Sequence, residues 1–310
     1  DGGPYYVLCV ADMDDRATKA VESESEGYML VRVDAPGKKL TFITVPSILT
    51  YKMSDGVSHP LYEVKDVGGD AELVRAVSAL CGIDVNHFIS TNSEHLINIV
   101  DMMGGIQLNI AEEIDDPNAG NEVIFAGEQT LSGKQVITYL RATNVLGGFD
   151  TTVANRVAFT TEVLNAALSS SGLGLANLVG DASLYIETDM STSDLLSLGD
   201  ALKPSEDLVI YSCIVPYYET RGSSTDDVVF QVSSNSWDGI RELVKSGQNP
   251  DMTDESISNV VPGDVTVEVR NGTQMTGAGA KLGEILSGYG YNVIGVGNVT
   301  DAITYPETLI

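Results

Sequence analysis

Ser93-Glu94-His95-Leu96-Ile97-Asn98-Ile99-Val100-Asp101-Met102-Met103-Gly104-Gly105-Ile106-Gln107-Leu108-Asn109-Ile110 carries a helix, its stop and a strand in one short run. Leu96, Ile97, Val100 and Met103 recur at helical spacing, with Ser93 placed to cap the first turn. Gly104-Gly105 ends the periodicity, since glycine adopts the left-handed conformation that closes a helix. Ile106, Leu108 and Ile110 then alternate with polar residues, the pattern of a strand with one buried face. A helix feeding a strand in this way is a unit of layered α/β folds.

The same alternation extends in both directions. Upstream, Tyr5–Ala11 is an apolar run, followed by an acid-rich polar loop, Asp12–Glu26. Tyr28–Asp34 and Leu40–Pro46 flank the turn Ala35-Pro36-Gly37-Lys38, which predicts a β-hairpin. Leu73, Val74, Val77 and Leu80 predict a helix over 70–82, with Asp70 as its cap and Gly82 as its stop. Downstream, helices are predicted over 132–140, 155–168, 192–202 and 236–245, and a strand over 208–215. Residues 247–263 are polar and turn-rich. A strand at 264–270, the turn Asn271-Gly272, a helix at about 278–288 and a strand at 291–296 follow, and Thr304–Ile310 reads as the start of another strand. The expected architecture is a three-layer α/β/α sandwich with a mixed central sheet over residues 1–248, a linker over 249–263, and a small C-terminal α/β module over 264–310, truncated at its end.

The chain has 310 residues, with 17 Lys+Arg against 44 Asp+Glu and a net charge of −27. The 43% of hydrophobic residues supports a core. The acidic balance argues against nucleic acid, whose phosphates require clustered Lys and Arg. No apolar run reaches the roughly 18 residues of a membrane span. Asp1-Gly2-Gly3-Pro4 has neither the basic nor the apolar part of a signal peptide. The chain therefore reads as a complete soluble protein or as a fragment trimmed of its targeting segment. Cys9, Cys81 and Cys213 lie far apart without a C-x-x-C, so buried free thiols are expected rather than a disulfide framework or a zinc site. His59, His87 and His95 lack metal-ligand spacing. No G-x-S-x-G elbow occurs, and Gly277–Gly283 fails both the phosphate-loop and the dinucleotide patterns. Glu112, Glu113, Asp115 and Asp116 crowd one segment. Calcium takes several carboxylate oxygens, but without EF-hand spacing a solvated acidic loop is the expectation.

Several segments together carry a resemblance. Val7–Ala11 runs into Asp12-Met13-Asp14, and Glu24-Ser25-Glu26-Gly27 precedes the strand at Tyr28. Thr44-Val45-Pro46-Ser47-Ile48 ends a strand, and Cys81-Gly82-Ile83-Asp84-Val85-Asn86-His87-Phe88 fits an L-G-I-x-I-x-H/Y-Y pattern. Leu96–Ile106 fits an F-x-x-L-V-D-x-L-G-G-V pattern, and Gly127–Arg141 fits G-x-x-x-L-x-G-x-x-A-L-x-Y-x-R. In this order they resemble the LytR-CpsA-Psr family over about residues 5–168 and, more loosely, up to about 246. Val265–Thr273, Gly277 and Tyr289–Val293 resemble the module often attached at its C terminus.

The resemblance implies an extracytoplasmic protein of a Gram-positive cell envelope, tethered by an N-terminal membrane helix absent from this chain. It implies transfer of a glycopolymer from a polyprenyl-pyrophosphate carrier to peptidoglycan, with Mg2+ as cofactor. Asp14 and Glu26 fall where the family places carboxylates that hold magnesium. Arg141 and Arg156 match two of its pyrophosphate-binding arginines, and Asp150 matches the acid that opens D-x-x-R-x-x-R-Q. Other positions depart from the pattern. Glu24 and Ser47 stand in place of arginines, Ile48 in place of an aspartate, Thr143 and Val153 in place of two more arginines, and Val157 in place of the glutamine. A charge-assisted hydrogen bond contributes roughly 1.5–3 kcal/mol, so losing several would remove most of a pyrophosphate's affinity. Two readings stay open: a magnesium-dependent phosphotransferase with a partly degenerate site, and a catalytically inactive pseudoenzyme that binds an envelope lipid, a glycan or an active relative. Arg16, Arg32, Arg75 and Lys52 are the cations that could restock the site. Transcriptional regulation is disfavoured by the charge and by the lack of a basic reading helix.

Overall fold

A computed structural model describes residues 3–12, 27–54, 56–146, 149–169, 173–202, 208–221, 228–250, 265–273, 275–288 and 291–299, apart from Asp55 and Gln274. In chain order the elements begin with β1 (Tyr5–Asp12), β2 (Gly27–Asp34), β3 (Lys39–Thr44), the short pair β4 (Thr50–Lys52) and β5 (Ser58–Pro60), and α1 (Leu61–Cys81). Next come β6 (His87–Asn92), α2 (Ser93–Met102), β7 (Ile106–Ile110), β8 (Gly127–Leu131), α3 (Gly133–Arg141) and α4 (Phe149–Ser169). They continue with α5 (Leu173–Ala182), β9 (Glu187–Thr188), α6 (Thr192–Ala201) and β10 (Val209–Ile214). The last are β11 (Tyr217–Arg221), β12 (Val228–Val232), α7 (Ser234–Ser246), β13 (Thr266–Asn271), α8 (Ala278–Gly288) and β14 (Asn292–Asn298).

The central sheet has the order β10-β3-β2-β1-β6-β9. It is mixed: β1 pairs parallel with β6 and β3 with β10, while β1–β2, β2–β3 and β6–β9 are antiparallel. Period-two alternation gives each strand two buried faces. Val7, Met29, Val31, Val33, Leu40 and Phe42 pack with Leu168 of α4, Met190 and Leu202. The alternate residues Leu8, Leu30 and Ile43 are fully buried on the opposite face. There Tyr28 Oη donates to Leu61 O at the start of α1, 3.3 Å away. Trp237 of α7 docks on the end of that helix, its Nε1 donating to Cys81 O at 2.8 Å. Helices thus cover both faces of the sheet.

A second apolar cluster joins Leu96 and Val100 of α2, the β7–β8 hairpin, Val136, Tyr139 and Leu140 of α3, and Phe159 of α4. One expectation is corrected in this region. Asn92, not Ser93, caps α2: its Oδ1 accepts from His95 N at 2.9 Å, and Ser93 is already helical. α1 as a continuous span runs from Leu61, but Gly69 (φ 74°, ψ −179°) is non-helical and divides it, so the helix expected from residue 70 to Gly82 is its second segment. That break hides the first two turns from a simple helical reading. Gly104 and Gly105 do end the helix with positive φ (82° and 90°).

Contacts divide the chain into two compact units, residues 1–216 with 234–250 and residues 217–233 with 251–310. Residues 217–233 thereby fall with the second unit, whereas the sequence division at 248 kept them with the first. Within the second unit, β11 and β12 form a hairpin whose Tyr217 and Phe230 rings meet edge-on at 6.0 Å. β13 and β14 pair in parallel, linked by α8. The strand expected at 304–310, and the expected linker from residue 251 onward, lie outside the described residues. No helix among the described residues is long and apolar enough to cross a membrane.

The join between α2 and α3 tolerates no side chain at Gly133. A Cβ there would lie 2.5 Å from Ile97 O and 2.6 Å from Ile97 Cα, while Gly133 N donates to Asp101 Oδ1 at 2.8 Å. Gly133→Ala should therefore force these helices apart and cost about 1–3 kcal/mol, seen as a lower urea midpoint with an unchanged m-value.

Candidate functional site

β1 and β6 run side by side and end together, Asp12 opposite Asn92. β2 starts at the same edge, with Gly27 opposite Ala11. Residues 12 and 27, which flank the acid-rich stretch 13–26, therefore sit beside the first turn of α2. Crevices at the carboxyl ends of parallel strands are where open α/β sheets bind ligands.

A cavity of about 240 Å³ opens between this end of the sheet and the helices. Cys9, Met29 and Ile89 contribute its sheet side; Leu96 and Ile99 of α2, Leu140 of α3, and Phe159 and Val163 of α4 contribute the rest. Among the described residues lining it, Arg156 is the cation. A second cavity of about 300 Å³, lined by Met102, Met103, Asn177 and Asp181 among others, includes no cation in its lining.

The position of Arg156 follows from the double duty of α4. Val157, Leu164 and Leu168 face the sheet core, while Phe159, Ala158 and Val163 face the cluster built on α2 and β7. Arg156 is 7% exposed. One turn later Thr160 shares the cavity wall, its Oγ1 donating to Arg156 O at 2.8 Å. Arg141, 8% exposed, is the last residue of α3 and follows the cavity-lining Leu140. Both arginines engage other groups. The structure thus places these two sequence-predicted residues, both buried, on adjoining helices: Arg156 lines the apolar cavity, whereas Arg141 is outside its lining and only its neighbour Leu140 reaches the wall.

The corner between those helices is held by groups that the sequence reading assigned to solvent. Asp116 is 3% exposed, not a solvated loop residue. Its Oδ1 accepts from Asn118 N at 3.0 Å, and its Oδ2 accepts from Thr143 N at 3.1 Å and Asn144 N at 3.4 Å. Glu112 Oε1 accepts from Leu146 N at 2.6 Å, and Asn144 Nδ2 donates to Asp115 O at 2.9 Å. From the other side, buried Thr152 donates through Oγ1 to Ala142 O at 3.0 Å. An Asp-Pro-Asn turn signal was visible in the sequence; the three amides that the carboxylate gathers were not.

Asp14, Glu26 and Glu24 lie outside the described residues, as does the side chain of Asp150. Among the described residues no three His, Cys, Asp or Glu side chains converge as a metal site. Ser47 and Ile48 are buried, and Thr143 is exposed. The cations suggested as substitutes sit elsewhere or are not described. Arg32, on β2 between Tyr6 and Thr41, contacts Asp34. Arg75 is bonded to Glu72, Lys52 is exposed on β4, and Arg16 lies outside the described residues. The histidines are spent locally: His87 Nδ1 lies 3.0 Å from Asp189, His59 Nδ1 lies 3.1 Å from Glu63, and His95 stacks edge-on against Tyr185. Cys9 and Thr160 are wall residues that sequence reasoning missed. Only the alternation of β1 and the helical step after Arg156 could have pointed to them.

Residues 2–246 match the LytR_cpsA_psr family, and residues 264–310 match a second family, described as LytR cell envelope-related transcriptional attenuator. The chain is 23% identical over 262 residues to the cell wall biosynthesis protein LcpA of Corynebacterium glutamicum, covering 79% of this chain and 49% of that protein. It is 21% identical to the polyisoprenyl-teichoic acid–peptidoglycan teichoic acid transferase TagV of Bacillus subtilis, covering 63% and 52% of the two. The chain thus spans about half the length of these curated relatives. The crystal structure of B. subtilis TagV superposes with a TM-score of 0.66 at 16% identity, covering 80% of this chain and 98% of that one. TagT bound to LI-WTA gives 0.62 at 12% identity, covering 79% and 91%. At these identities the superpositions establish the shared fold.

Cys9 of the cavity wall and two thiols elsewhere supply a probe of burial. Burial pushes the thiols of Cys9, Cys81 and Cys213 up to about 12. Their folded-state values are raised, so their contribution to stability is complete below the unfolded value of about 9 and is lost as pH climbs from there towards 12. Unfolding free energy should therefore fall across that window, by at most about 1.4 kcal/mol per pH unit for each thiol. Replacing all three by alanine should flatten that alkaline limb in chemical denaturation series.

Proposed function

Because the chain belongs to the LytR-CpsA-Psr family, we propose that it takes a polyprenyl-(pyro)phosphate-linked cell-wall glycopolymer and passes it to peptidoglycan, with a reduced set of phosphate contacts. The observation that carries this reading is an apolar cavity whose lining cation is the buried Arg156, with Arg141 on the adjoining helix. That combination suits an amphiphile: an isoprenoid chain among Leu96, Phe159 and Val163, and an anionic head at the guanidinium. The names of TagV and LcpA supply the class of cargo and acceptor. The site of action would be the extracytoplasmic face of the envelope, with the protein tethered through an N-terminal helix.

Arg156 and Arg141 bind the phosphate oxygens and spread the charge that builds on them. An acceptor hydroxyl of peptidoglycan attacks the phosphorus attached to the glycan. A new P–O bond forms, the bond to the bridging oxygen breaks, polyprenyl phosphate leaves, and the hydroxyl proton passes to solvent. Mg2+ held by Asp14 and Glu26 would add positive charge beside the leaving oxygens. The apolar wall excludes water, which strengthens each charged contact.

A second reading is favoured by the burial of Ser47 and Ile48, at 3% and 7% exposure, where the resemblance expects a charged pair. In that reading the cavity binds and presents the lipid, and transfer is left to an active relative.

Calorimetry with geranylgeranyl pyrophosphate, with and without magnesium, tests both. Arg156→Ala should weaken binding about tenfold or more. Val163→Trp, which fills the cavity, should abolish binding of the isoprenoid but not of inorganic pyrophosphate. Release of geranylgeranyl phosphate above a Glu26→Ala control supports transfer chemistry, binding without turnover supports the second reading, and no binding removes both.

A further inference from the structure

The connector between α3 and α4 is held more tightly than a surface loop requires. Ala142 to Asn144 are gripped on one side by the buried carboxylate of Asp116, through Thr143 N and Asn144 N, and on the other by Thr152 Oγ1 on Ala142 O. Arg141 precedes this corner directly. Arg156 lies one turn beyond Thr152 on α4. A buried carboxylate that accepts backbone amides is costly to remove, because both it and the amides would lose their partners. Thr152, 1% exposed, spends its hydroxyl on a carbonyl that ends one helix while belonging to the first turn of the next. These two side chains therefore set the angle and register at which the two arginine-bearing helices meet.

We infer that Asp116 and Thr152 are positioning residues of the phosphate site: they touch no ligand and act by fixing where the Arg141 and Arg156 guanidiniums stand. The inference deepens the reading of the cavity as an isoprenoid phosphate site and rests on it. A displacement of about an ångström at such groups is enough to cost a large part of a rate or an affinity.

Thr152→Val keeps the shape and removes the donor; Thr152→Ser keeps the donor. Asp116→Asn keeps the size and replaces one acceptor oxygen with an NH2 group facing backbone donors. Each variant is measured in two ways. The first is the affinity for geranylgeranyl pyrophosphate, in the parent and in an Arg156→Ala background. The second is the Nε–H nuclear magnetic resonance signals of isotope-labelled arginine, assigned to Arg141 and Arg156 by substitution. The expected result is a loss of about tenfold for Thr152→Val and Asp116→Asn in the parent, and little further loss once Arg156 is gone. The two arginine signals should shift or broaden in these variants. Thr152→Ser should restore affinity and signals, and Glu113→Gln, at an exposed neighbouring acid, should match the parent. Arginine signals unmoved in variants that retain their circular dichroism would overturn the inference. So would losses that add in full to that of Arg156→Ala. If Asp116→Asn does not fold, the Thr152 pair decides. If the parent binds no pyrophosphate, the phosphate reading falls on that result alone, and the arginine signals still show whether the corner orients the two side chains.

Discussion

Among the described residues three arginines are buried in a chain of net charge −27, and two of them, Arg141 and Arg156, govern much of the construction around the cavity. Guanidinium groups leave water only when the surrounding protein supplies hydrogen bonds and negative charge in return. Arg156 is buried because α4 lies between two apolar clusters and presents nonpolar residues to both. Arg141 closes α3, and the backbone turns out of that helix at Ala142 (φ −61°, ψ 127°). The turn is bonded from one side by Asp116 and from the other by Thr152. Packing places the charges, and the polar corner stops the packing from drifting.

Much of this framework could be read from residue spacing, and its limits have physical causes. The run from Leu96 to Ile110 announced its helix, stop and strand, because a long periodic segment bounded by two glycines has few alternatives. β1, β2 and β3 were legible as apolar runs around a Pro-Gly turn. β6 was not, since His87–Asn92 is a half-buried strand with mixed side chains whose parallel pairing with β1 depends on residues some eighty positions away. The segment of α1 ahead of the break at Gly69 was missed, and α4 was shortened by the polar residues Thr151 and Thr152 in its first turns. Arg141 and Arg156 were identified through resemblance alone, for nothing in local spacing distinguishes a buried arginine from a surface one. Asp116 shows the complementary failure. Acid runs are usually solvated, and only the fold reveals that this carboxylate faces three backbone amides.

The charge balance also shapes how an anionic ligand would reach the cavity. Excess negative charge opposes its approach, but salt confines that field to a Debye length of about 8 Å at physiological ionic strength. Affinity for phosphate must then come from short, desolvated contacts, where a guanidinium acts far more strongly than it would in water. Arg32 and Arg75 contribute none of these, because each is committed to an acid on its own element. Arg156, the cation among the described residues of the cavity wall, therefore matters more here than it would in an arginine-rich site.

The dimensions of the cavity carry a further consequence. At about 240 Å³ it is somewhat larger than the void of about 150 Å³ that accommodates a benzene ring in an engineered protein core. It could sheathe the first few isoprene units of a long lipid, not the whole tail. The remaining hydrocarbon would have to stay in a bilayer while the head is held. A protein built this way would work as a gripper leaning over the lipid surface, lifting one end of its cargo and never carrying the molecule away.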